Sequence, residues 1–242
     1  LRFVHAHLLL RVKPQVNNLR YNNLTVRNLF LPASEKRKRF ELRALGLREF
    51  AGVSDDQPLD PFALASFARL MVVDFNTIEG LSAESRAHLL GEASDQWSGG
   101  ACSRPLPNGW RLVILNPAHG KQRNRATLME EVSHVFLGHQ PNRLAAITRD
   151  EGAPKSPATP GAARGRILAR DYNEANEEEA YAVGAAALVP FGALRRMIIE
   201  RRNSKEIARH FGVSRQLAEY RIKVTHLWPE YKRASETRPE HV

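Results

Sequence analysis

Residues 113–139 read VILNPAHGKQRNRATLMEEVSHVFLGH. The front of this stretch, with Trp110, Arg111 and Leu112 before it, is a β-rich run closed by Asn116-Pro117. A basic turn, HGKQRNR at 119–125, comes next. The spacing then predicts a helix carrying Thr127 to Leu137, with Gly138 at its end and Pro141 just beyond as stop signals. A strand thus hands the chain to a helix that bears three ionisable side chains within five residues, Glu130, Glu131 and His134.

On a helix, positions 130 and 134 are separated by about 40° in projection, so both side chains leave one face and can meet one ion. Position 131 lies within reach of the same edge, where a carboxylate can take a proton from an activated water instead of ligating. The string Glu130-Glu131-Val132-Ser133-His134 differs from the zinc-peptidase motif H-E-x-x-H at one position, and that position is a ligand. The same string also suits a solvent-facing patch with a carboxylate–imidazole contact one turn apart. A third ligand has to come from elsewhere, and the dense downstream cluster of carboxylates is Glu174, Glu177, Glu178 and Glu179.

Working outward, Phe40, Leu42, Leu45, Leu47 and Phe50 suit a helix over 34–50 with a charged outer face. Asp60-Pro61 opens another, with an acidic cap and proline in the first turn. MVVDF at 71–75 is a β-rich run, and QWSGGACS at 96–103 is a third short strand or hairpin arm. Residues 149–166 crowd prolines and glycines into a flexible loop, and a helix over 172–189 ends before Pro190. The expected organisation is a basic, irregular N-terminal extension at 1–33, a domain at 34–192, and a C-terminal subdomain at 193–242.

The chain of 242 residues has a formal charge of +10, but its ends carry the excess. Residues 1–39 hold nine Lys/Arg against Glu35, and residues 195–242 hold twelve against six acids, which leaves 40–194 at −4. Nucleic-acid contact is therefore a matter for the basic termini, including Lys36-Arg37-Lys38-Arg39, which is equally a solvated arm. One cysteine, Cys102, excludes an internal disulfide framework and favours a reducing, cytoplasmic setting. No apolar run approaches the roughly 20 residues of a membrane helix. The opening LRFVHAHLLLRV, broken by Arg2, His5, His7 and Arg11, makes a poor signal peptide.

Three blocks taken together resemble the ImmA/IrrE family of metallopeptidases. These are VILNPAHGKQRNRATLMEEVSHVFLGH, EEEAYAVGAAALVP at 177–190, and SKEIARHFGVSRQLAEYRIK at 204–223. They parallel the family's strand-end Asn-Pro, its H-E-x-x-H-x-x-x-x-H, its E-A-N-x-F-A-A-x-L-L-M-P and its F-G-V-S helix pair. The resemblance spans residues 40–227. It implies an α+β, zincin-like metallopeptidase domain with a small antiparallel sheet, an active-site helix and C-terminal helix-turn-helix-like helices.

It also implies roles. Glu131 falls at the general base, His134 at the second histidine ligand, and Glu179 at the third-ligand glutamate, with Glu178 as the alternative. The first histidine ligand falls on Glu130, where the pattern breaks. The implied cofactor is Zn²⁺. Replacing a neutral ligand by an anionic one lowers the site's charge, weakens the ion as a Lewis acid and shifts the donor set towards oxygen, which suits Mn²⁺ or Fe²⁺ relatively better. His139 matches the family's trailing histidine. On a continuous helix it would point about 140° away from His134, but Gly138 lets the chain turn back, so His139 is either an alternative ligand or a partner of the helix C-terminus. His119 is a loop histidine or a substrate contact.

The implied substrate is a helix-turn-helix transcriptional repressor, cut in a stress response or in control of a mobile element. Two other readings stand beside it. A pseudo-peptidase would dock a regulator without cutting it. A DNA-binding regulator would use the C-terminal pair, in which Ser204 and Ser214 are expected to cap two helices around Gly212, with Arg215 and Gln216 facing bases.

Overall fold

The computed structural model describes residues 30–102, 104–139 and 173–236. Contacts divide the chain into two units, Leu1–Phe30 and Leu31–Val242. The expected N-terminal extension, Phe30 to Ala33 excepted, and the expected loop at 149–166 lie outside the described residues.

The second unit opens with α1 (Glu35–Phe50), which buries Phe40, Glu41, Ala44, Leu47 and Arg48 on one face. Asp60 starts α2 (Pro61–Phe67) by accepting a hydrogen bond from the Phe62 amide, as its acid–proline opening predicts. Strand β1 (Leu70–Val73) is followed by a 3₁₀ turn at Phe75–Thr77 and by α3 (Ala83–Leu90), which has no counterpart in the sequence reading. Strand β2 (Gly99–Ala101) and strand β3 (Arg111–Leu115) complete the sheet.

The sheet order is β1-β3-β2. Strand β2 pairs antiparallel to β3, but β1 pairs parallel to it, with Leu70 opposite Arg111 and Val73 opposite Ile114. The expected antiparallel sheet is therefore mixed. A parallel pair needs a long crossover, and the excursion through α3 and β2 supplies it. Strand patterning reports which residues are apolar, not the direction in which a strand pairs.

Helix α4 (Lys121–Phe136) packs between this sheet and α5 (Glu174–Leu188). It starts earlier than the sequence reading has it, because Gly120 is its N-cap and the basic run forms its first turns. Cations there oppose the helix dipole, which is why the run resembled a turn. Asn124 ties this end down by donating to the Asn116 and His119 carbonyls. Leu128, Met129 and Val132 of α4 meet the small-residue face of α5 in the core.

At Pro190 the chain turns into α6 (Phe191–Ile199), then α7 (Ser204–Phe211), α8 (Arg215–Val224) and α9 (Trp228–Glu236). Asn203, not Ser204, caps α7, in a capping box with Glu206. Gly212 takes the left-handed conformation and Ser214 caps α8 as expected. A fully buried ion pair, Arg221 to Glu41 at 2.6 Å, joins α8 to α1. Glu41 also accepts from the Phe191 amide at 2.5 Å, and Arg221 donates to the Val189 carbonyl at 3.0 Å. Both charges are thus hydrogen-bonded, the condition under which a buried pair is tolerated. Among the described residues no single helix is long and apolar enough to cross a membrane.

Candidate metal centre

Glu130 and His134 stand one turn apart on α4, as their spacing dictates, and the first turn of α5 brings Glu177 to them. The three donor atoms lie within 4.8 Å of one another. His134 Nε2 is 3.5 Å from Glu177 Oε2. Donors bound at roughly 2.0–2.2 Å lie up to about 4.2 Å apart across an ion, so small side-chain movements close this group on one cation.

The helices approach closely because Gly184 faces α4. A Cβ there would lie 3.2 Å from Ser133 Oγ, 3.3 Å from the Met129 carbonyl and 3.4 Å from the Glu130 nitrogen. Residue 177 is seven positions before Gly184, within about 20° of it around α5, so it shares the face turned to α4.

Residues 177 and 179 differ by about 200° around the helix, and this separates their fates. Glu179, the expected third ligand, forms an ion pair with Arg43 of α1 and takes His139 Nε2 at 3.2 Å. Glu178 pairs with Lys36 at 2.6 Å on the surface, which holds its carboxyl below the usual range. The acid grouped with Glu130 and His134 is thus Glu177, and neither Glu179 nor Glu178 joins them. The sequence had placed all of these acids in one cluster. The signal that would have separated them was the phase of α5 read backwards from Gly184.

Electrostatics favours a cation here. Burial first, then the nearby Glu131 and Glu177, pushes the Glu130 carboxyl up to about 7. Burial also pushes the His134 imidazole down, opposed by Glu177. Two carboxyl groups meet one imidazole, with Glu131 close enough to Glu130 to repel it, and a divalent ion would relieve that repulsion. The donor set, two carboxylates and one imidazole, fits such an ion.

Glu130, Glu131, His134 and Glu177 line a cavity of about 830 Å³ that Phe75, Leu89 and Trp97 also line. That volume is of the size that holds small ligands or a few residues of a peptide. Strand β2 forms the sheet edge along the cavity, and Cys102 follows it there. His119 is not part of this wall. Its Nε2 lies 3.4 Å from Asn116 Nδ2, on the turn before α4.

The family comparison concerns this same region. The peptidase-family model described as the IrrE N-terminal-like domain matches residues 103–223. The chain belongs to this family. Neither a curated protein nor a solved structure matches it.

Within the IrrE N-terminal-like match lie β3, α4, α5 and the helix pair α7–α8. Helices α1, α2 and α3, with β1, β2 and their connecting segments, precede it and supply Arg43 and the cavity residues Phe75, Leu89 and Trp97.

His139 is the remaining predicted residue near the centre. Gly138, with φ of 71°, closes α4 in a turn where the His139 amide donates to the His134 carbonyl and the Gly138 amide to Val135. That pair of bonds is a Schellman motif, and it folds His139 back on α4. Its Nδ1 lies 3.1 Å from Nδ1 of His134. His139 therefore approaches the ring nitrogen of His134 opposite to the one at the cluster. Burial, then His134 and Arg43, holds its imidazole below the ordinary value.

At the C-terminal pair, Arg215 Nε donates to Glu219 at 2.7 Å and to Ser204 Oγ at 3.2 Å, while Gln216 is exposed. The arginine expected to face bases is engaged within its own helix pair.

Proposed function

We propose that this protein is a metal-dependent endopeptidase in which Glu130, His134 and Glu177 hold the ion. The observation that carries the reading is the convergence of those three donors beside Glu131, at one cavity, in a chain of this peptidase family. When bound, the ion would polarise a peptide carbonyl and acidify a water molecule. Glu131 accepts the proton of the attacking water as its oxygen bonds to the carbonyl carbon. It then returns that proton to the leaving amine nitrogen as the C–N bond breaks.

Zn²⁺ is the family's implied metal. The oxygen-rich donor set widens the choice to Mn²⁺ or Fe²⁺. The β2 edge supports an extended peptide as substrate, because it can add a strand there. The apolar wall of Phe75, Leu89 and Trp97 supports a bulky apolar side chain beside the scissile bond. By the family resemblance the protein cut is a helix-turn-helix repressor, in a cytoplasmic stress response.

Glu130 itself favours a second reading, a module that binds the regulator without cleaving it. The test is metal analysis of protein purified without chelators, followed by incubation with a repressor encoded beside it. Stoichiometric metal and a discrete cut, lost in Glu131→Gln while metal stays bound, support the peptidase. Absence of metal overturns it, and cleavage surviving in Glu131→Gln overturns the assignment of the base. Bound metal and a complex without cleavage leave the binding module.

A further inference from the structure

The stretch from Phe75 to Trp97 supplies apolar residues to the cavity, yet α3 at its centre buries none of its own residues. Packing in the core therefore does not fix its place, and polar contacts take over that task. At the far end, the fully buried Asn116 donates from Nδ2 to the Ser94 carbonyl at 2.7 Å and to the Trp97 carbonyl at 2.9 Å. The Trp97 indole in turn donates to the Leu89 carbonyl at 2.9 Å, and its ring lies 5.4 Å from that of Phe75.

Arg86 of α3 holds the near end. Its Nη1 donates to the Phe75 carbonyl at 2.6 Å and its Nη2 to the Ile78 carbonyl at 2.8 Å. These carbonyls flank the 3₁₀ turn at Phe75–Thr77, whose C-terminal end favours a cation. The guanidinium also sits 5.4 Å from the centre of the Phe75 ring, a cation–π distance. Phe75 and Ile78 line the cavity, whereas Arg86 does not. The arginine thus braces the wall from behind. Within that wall Ile78, Leu81, Leu89 and Trp97 stay only half-buried, and apolar surface left in this way gains by taking up an apolar group.

We propose that Arg86 is a positioning residue for substrate selection: it holds Phe75 and Ile78 where they receive a bulky apolar side chain of a bound peptide. That the occupant is a peptide rests on the proposed function, whereas the bracing of the wall does not. Lysine is a poor substitute here, because an ammonium lacks the planar fork that spans two carbonyls.

Two measurements on the full chain test this. The first is amide hydrogen exchange of metal-free protein. Arg86→Met keeps the stem and removes the fork, so exchange across residues 75–90 should rise about tenfold or more, with α4 unchanged. Arg86→Lys should recover only part of the protection. Unchanged exchange across 75–90 in Arg86→Met, or an equal rise in α4, overturns the bracing role. Full protection in Arg86→Lys overturns the two-carbonyl clamp.

The second captures peptides from a random decapeptide library on the Glu131→Gln chain loaded with Zn²⁺. The captured peptides should be enriched in Leu, Phe, Met or Trp at one position. Adding Arg86→Met should cut that enrichment about tenfold, with Zn²⁺ affinity unchanged. Capture of no peptide, no apolar preference, or a preference that survives Arg86→Met overturns the proposal. A parallel loss of Zn²⁺ affinity does so too, since Arg86 would then support the whole site. Should Arg86→Met fail to fold, Arg86→Lys carries both comparisons. Incubating the captured peptides with the unsubstituted, Zn²⁺-loaded chain decides the peptidase reading separately. Peptides held with the apolar preference and left uncut overturn that reading and leave the role of Arg86 standing.

Discussion

Gly184 of α5 stands against the backbone of Glu130 on α4, with room for a hydrogen and little more. This contact sets how near Glu177 comes to the α4 donors, because both residues lie on the same face of α5. Gly184→Val should push the helices apart. Overpacking of this kind costs about 1–3 kcal/mol, so urea unfolding should show a loss of that order together with weaker metal binding. Stability lost with metal affinity unchanged would mean that the spacing of these helices does not control the site.

Glu130→His would rebuild the H-E-x-x-H string and raise the charge of the ligand group by one. Zn²⁺ should bind more tightly, on the order of tenfold or ~1.4 kcal/mol, with Zn²⁺ favoured over Mn²⁺ more strongly than before. Competition titrations with both metals check this. Equal or weaker Zn²⁺ binding would place the ion elsewhere.

The raised Glu130 carboxyl makes metal-free stability depend on pH. Its value is about 7 in the folded chain, against an ordinary value of 4.5. Between these values the folded state holds more protons than the unfolded state. The contribution is thus complete below about 4.5 and is lost as pH rises through 7. His134 is lowered, so it acts in the opposite sense and adds stability as pH rises towards its unfolded value of 6.5. Comparing the parent with Glu130→Gln isolates the glutamate. The parent should lose up to ~3 kcal/mol relative to the variant between pH 4.5 and 8. Parallel stability curves would show that Glu130 titrates normally.

Arg221→Met should destabilise the fold by about 3–5 kcal/mol, since it strands the buried Glu41 carboxylate. Adding Glu41→Leu should recover most of that loss, because an apolar pair removes both desolvation costs. Thermal or urea unfolding of the single and double variants gives the coupling. Additive losses would mean that the two groups act independently.

How much of this was legible differs from residue to residue. Asp60, Ser214 and Gly212 announced their caps and turn, because each acts on amides within a few positions of itself. Ser204 was misread for Asn203, an error of one position between two residues equally able to cap. The start of α4 was hidden by three basic residues, Lys121, Arg123 and Arg125, whose charges oppose a helix N-terminus, where the tie from Asn124 to Asn116 holds the chain instead. The direction of β1 left no trace in its side chains, because parallel and antiparallel neighbours bury the same apolar residues.

The centre divides along the same line. That Glu130 and His134 share a face follows from the sequence by itself, since the helical period fixes side chains four apart. The family and the presence of a carboxylate cluster ahead of a small-residue helix were legible for the same reason. Only the tertiary structure decided that Glu177 meets them and that Glu179 turns to Arg43. The rotation of α5 about its axis is set by how Gly184 and its alanines pack on α4. Such packing joins residues 40 or more positions apart, whose mutual phase no local spacing encodes.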